Sequence, residues 1–109
     1  MQNNAFQPMG PTVLVTGAPV QAVTLNNQFA TSYRIRNVST TNGYIAWGAP
    51  LNSGFAPSVT CVAPTVAAVS VVNTVGMVAS SVEVFCLPPQ AWFQGSTGLT
   101  FEVTPGEGI

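Results

Sequence analysis

The sequence predicts an all-β chain: an antiparallel two-sheet sandwich of jelly-roll type with an extended N-terminal arm. Three observations predict it. Val, Thr, Tyr, Phe and Ile recur in short runs, and Gly, Pro, Asn or Ser interrupts them every few residues. Helix signals are nearly absent. Charged residues make up 5% of the chain, so Ser, Thr, Asn and Gln must cover the exposed face of any strand. The length suits one core and one domain.

Residues 1–11 hold Phe6 and Met9 between prolines and read as the extended arm; residues 12–109 form the sandwich. Residues 12–16 give the first strand, stopped by Gly17-Ala18-Pro19, and 20–25 the second, stopped by Asn26-Asn27. Residues 32–38 alternate clearly. Tyr33 and Ile35 point one way, and Arg34 and Arg36 the other, onto water or the few glutamates. Thr41-Asn42-Gly43 reads as a hairpin turn, since Asn-Gly suits positive φ, with 44–47 as the returning strand. A loop carrying Phe55 follows. Strands are expected at 59–62, 66–72 and 74–79. Residues 82–87 alternate and are stopped by Pro88-Pro89. Residues 91–94 carry Trp92-Phe93, and 99–104 form the last strand, ended by Pro105-Gly106-Glu107-Gly108. Strands of this kind make non-local contacts, so slow folding is expected.

The chain has no His, no Asp and no Lys; its charges are Arg34, Arg36, Glu83, Glu102 and Glu107. A Ser–His–Asp triad and a Ser–Lys dyad are therefore excluded, and neither cysteine has a His to hold a thiolate. Glu83 and Glu102 are the one plausible carboxylate pair, and both read better as solvated or salt-bridged strand residues. No cofactor is expected, and no metal, because zinc and calcium need ligand clusters that are missing. Two arginines on one strand do not make a nucleic-acid surface. Cys61 and Cys86 could pair, but their apolar neighbours favour two buried thiols, which fit a cytoplasmic assembly better than a secreted protein. The start has no signal-peptide pattern. The Val-rich stretch 59–82 is too broken by Pro64, Asn73 and Gly76 for a membrane span, and no small-molecule substrate is implied.

Large apolar groups remain. Trp47 fits the core. Trp92 and Phe93 must face opposite ways, leaving one of them outside. Phe6, Met9, Phe55, Trp92 and Phe93 are therefore the candidate partner-contact residues, since aromatics are enriched at interface hot spots. With a net charge of −1, little repulsion opposes self-association.

Three segments resemble those of tailed-bacteriophage head decoration, or cement, proteins. They are Tyr33-Arg34-Ile35-Arg36-Asn37-Val38 leading to Gly43-Tyr44-Ile45-Ala46-Trp47-Gly48, then Ser81-Val82-Glu83-Val84-Phe85, and then Gly98-Leu99-Thr100-Phe101-Glu102-Val103-Thr104-Pro105-Gly106-Glu107-Gly108. The resemblance implies a jelly-roll virion protein on the outer capsid surface, made in the host cytoplasm. Its implied partners are the major capsid protein and further copies of itself, as dimers or trimers. A carbohydrate-binding or host-attachment module of a phage particle is the alternative, and its mark would be exposed aromatics beside Asn and Gln.

Overall fold

The computed structural model describes residues 5–24, 30–48 and 74–108. Phe55, Cys61, the Asn26-Asn27 turn and the strands expected at 59–62 and 66–72 lie outside the described residues. The described chain is all-β. Its strands are β1 (Gln7–Pro8), β2 (Val13–Val15), β3 (Val20–Gln21), β4 (Ser32–Asn37), β5 (Gly43–Gly48), β6 (Thr74–Met77), β7 (Val82–Cys86), β8 (Trp92–Gly95) and β9 (Phe101–Glu107). All described pairings are antiparallel.

Two sheets face each other as a sandwich. In the first, β1 and β2 both pair with β9, which pairs with β4, which pairs with β7. The second runs β3-β8-β5-β6. The pairings β2·β9, β3·β8, β4·β7 and β5·β6 are nested about the middle of the chain. Alternate residues of each strand fill the space between the sheets. Val15, Tyr33, Ile35, Phe101 and Val103 come from the first sheet, and Ile45, Met77 and Phe93 from the second. Tyr33 and Phe93 meet edge to face across the gap, ring centroids 5.3 Å apart.

The Tyr33 hydroxyl extends this contact into a polar anchor. It donates to the Pro88 carbonyl at 2.7 Å and accepts from the Ala91 amide at 3.2 Å. It thereby holds the β7–β8 turn, where Gln90 takes φ of 58°. Burial raises the Tyr33 pKa above its usual 10.0, opposed in part by hydrogen bonds with the Ala91 and Gln90 backbone.

The expected hairpin at Asn42-Gly43 is corrected. β4 and β5 do not pair; they belong to opposite sheets. The link is a corner built by Asn37, whose side chain is fully buried. Its Oδ1 accepts from the Ser39 amide at 2.9 Å, an Asx turn that redirects the chain. Its Nδ2 donates to the Thr41 carbonyl at 3.1 Å and the Met77 carbonyl at 3.2 Å, tying the end of β4 to β6.

The last strand is longer than expected: β9 runs through Pro105 to Glu107. On β4 the even residues bond to β9, as the Val38 amide to Thr100 carbonyl bond shows. The missing donor of Pro105 therefore faces away from β4, toward β1, where its carbonyl still accepts from the Met9 amide at 2.8 Å. The segment expected as an arm is extended, but over Gln7–Pro8 it lies along β9. It can do so because Gly106 has no side chain; a Cβ there would meet the Gln7 carbonyl oxygen and lie 2.6 Å from the Phe6 ring.

Candidate interaction surface

The candidate contact residues scatter over the molecule. Phe6 and Met9 are half-buried along the β1 edge, Phe6 over Gly106. Trp92 and Phe93 do face opposite ways. Phe93 is 0% exposed and belongs to the core, so its candidacy as a contact residue is corrected. Trp92 is half-buried on the outer face of the second sheet, opposite Gln21 on β3 and Gly48 on β5. Trp47 packs against the core but is only half-buried. It helps line a cavity of about 280 Å³ between the sheets, with Ile35, Ile45, Val75, Phe85 and Leu87. The Thr74 hydroxyl is buried there without a hydrogen-bond partner among the described residues.

The expectation of two buried thiols is corrected for Cys86, which is free and exposed. Phe85 and Leu87 are larger and take the core side of β7. The two-residue period then turns Val82, Val84 and Cys86 outward together.

The outer face of the first sheet carries the arginines, as expected. Its register brings together residues that are far apart in sequence. Leu14 lies opposite Glu102, Glu102 opposite Arg36, and Arg36 opposite Val82. Arg36 and Glu102 approach to 3.8 Å with 51% and 39% of their side chains exposed, a solvated contact of little energy. At the two ends of this row Leu14 is 60% and Val82 42% exposed. The result is a cross-strand stripe with apolar ends and a self-neutralised centre. Thr12 and Thr104 bond at 2.6 Å in the adjacent row. No alternation marks Leu14 within Val13-Leu14-Val15, and Val82-Glu83-Val84 read alone would turn Val82 inward; Phe85 and Leu87 reverse that parity, and the adjacency of Leu14 and Val82 to the ion pair depends on the β2·β9 and β4·β7 registers.

Glu83 and Glu102 are set apart by parity. Glu83 lies opposite Ile35 and Glu102 opposite Arg36, so the carboxylates point to opposite faces of the sheet. They do not flank a common space. No group of three or more His, Cys, Asp or Glu able to hold a metal occurs among the described residues. No described helix is long and apolar enough to cross a membrane.

Comparison with protein-family models, with curated proteins and with solved structures finds no match.

Proposed function

We propose that this chain is a non-enzymatic structural protein of a phage particle that binds the outer capsid surface and stabilises contacts between capsid subunits. The observation that carries the reading is the Leu14–Glu102–Arg36–Val82 row. Exposed apolar side chains beside an internally neutralised ion pair suit a protein partner better than water, nucleic acid or a charged substrate. The segments that resemble decoration proteins fall on β4, β5, β7 and β9, so they include the two central strands that carry this row. The nested pairing of β2 with β9 through β5 with β6 is the order expected of a jelly roll and supports that finer form of the sandwich. Each contact can be weak where copies are joined to one another, because linked copies bind a shell with avidity.

The test is addition of purified protein to capsids that lack it, with bound copies counted per shell. Saturation at a fixed stoichiometry is expected. Leu14→Asp, an exposed change that leaves the core intact, should lower occupancy at least tenfold at subsaturating protein. Unchanged occupancy would remove the row from the binding surface, and no saturable binding would overturn the capsid reading.

Glycan attachment is a second reading, favoured by the place of Trp92 beside Gln21 on the second sheet, with Gln94 two residues on. Glycan binding abolished by Trp92→Ala, without capsid binding, would decide for it.

A further inference from the structure

We propose that two copies of this chain join β7 to β7 about a twofold axis at Val84, extending the first sheet across the dimer. This inference does not rest on the capsid reading.

β7 is the outer strand of the described first sheet on the side away from β9. Which of its backbone groups have no partner among the described residues follows from the ladder. The Asn37 amide donates to the Ser81 carbonyl, and the Leu87 amide to the Thr31 carbonyl, each between directly opposed residues. In an antiparallel pair such bonded positions recur every second residue. Glu83 and Phe85 therefore spend their amides and carbonyls on β4. Those of Val82, Val84 and Cys86 point away from it, along the edge.

The other edge of this sheet is protected. β1 has Pro8 opposite Gly106, at a position whose missing donor faces away from β9, and β2 has three residues. Both are devices that discourage pairing with another chain. β7 is five residues long and has neither Pro nor Lys; its one charge, Glu83, lies on the face of Ile35 with its backbone groups spent on β4, and Val82 and Cys86 are exposed. In the second sheet β3 has two residues and β6 four.

A second copy fits this edge in one register. With Val84 opposite its twin, Val82 meets Cys86 of the other copy, and all three residues bond together, about six hydrogen bonds in all. Their side chains merge into one apolar stripe on the outer face, and Glu83 meets Phe85 of the other copy. Sliding one way sets Glu83 against Glu83, a like-charge opposition. Sliding the other way brings Pro88, which has no amide, into the ladder. The pairing is isologous and closes on itself, so it gives a dimer rather than a fibre.

A short ladder with one apolar stripe is a small interface, so the native mass of the full chain is measured from about 1 to about 500 µM. A dimer, twice 11.3 kDa, is expected at the upper end. Val84→Lys and Val84→Glu each place like charges at the axis and should both be monomeric. Mixed in equal amounts, they should recover the dimer as a Lys–Glu pair. A monomer throughout, a trimer, or a dimer indifferent to both substitutions overturns the proposal. If either variant fails to fold, hydrogen exchange on the unaltered chain decides. Amides of Val82, Val84 and Cys86 should become at least tenfold slower as concentration rises. Fast exchange at every concentration refutes β7 pairing, whatever the fate of capsid binding.

Discussion

Replacing Tyr33 with Phe removes one oxygen from the core and tests whether that oxygen anchors the β7–β8 turn. The ring stays, with its edge contact to Phe93 at 5.3 Å, so apolar burial is nearly unchanged. What is lost is the donation to Pro88 and the acceptance from Ala91. Ala91 is fully buried, so its amide is left without an acceptor, at a cost of about 1–3 kcal/mol. The Pro88 carbonyl belongs to a half-buried residue and regains water, adding only about 0.5 kcal/mol. The sum is about 2 kcal/mol, which for a chain of this length lowers Tm by about 9 °C. Urea unfolding followed by Trp fluorescence should show a lower midpoint and an unchanged slope. A loss below about 0.5 kcal/mol would mean that Ala91 finds another acceptor and that the hydroxyl is not an anchor. A changed slope would mean that the substitution altered more than the turn.

The same residue sets an alkaline limit. Because its folded pKa is raised above 10.0, the buried neutral phenol contributes fully below that pH. The contribution is lost as pH rises from the unfolded toward the folded value, so urea midpoints should fall as pH rises above about 10, and fall less in Tyr33→Phe. Gly106→Ala forces the Gln7 carbonyl and the Phe6 ring aside; it should cost about 1–3 kcal/mol and speed proteolysis near residue 7. Gly98→Ala meets nothing within 4 Å but must hold φ of +84°, so a melting curve should record a loss of about 1 kcal/mol without added proteolysis. Arg36→Ala should change stability by less than about 0.5 kcal/mol at any salt concentration, because its partner is as solvated as it is.

Much of the sandwich was legible because alternation is strong where one strand face is buried. Tyr33 and Ile35 against Arg34 and Arg36 place β4 and orient it. Misreadings arose where a local rule met a tertiary alternative. Asn42-Gly43 has hairpin chemistry, yet the buried amide of Asn37 turns the chain into the opposite sheet. Pro105 breaks a central strand only if its absent donor is needed, and here it faces the short β1. Cys86 has apolar neighbours, but Phe85 and Leu87 occupy the one inward side that β7 offers. The contact stripe was the least legible part. Leu14, Arg36, Val82 and Glu102 become neighbours only through two strand registers, which no spacing along the chain encodes.

The docking of β1 on β9 also shapes how the domain answers force. Gln7 and Glu107 are direct partners, and the two strands run in opposite directions. Tension applied between these residues peels the strands apart like a zipper, one hydrogen bond at a time, so this corner yields at low load. Tension along β4, clamped between β9 and β7, must shear two ladders at once. A tether attached near residue 7 or 107 would thus give way locally, while the central strands kept the sandwich closed.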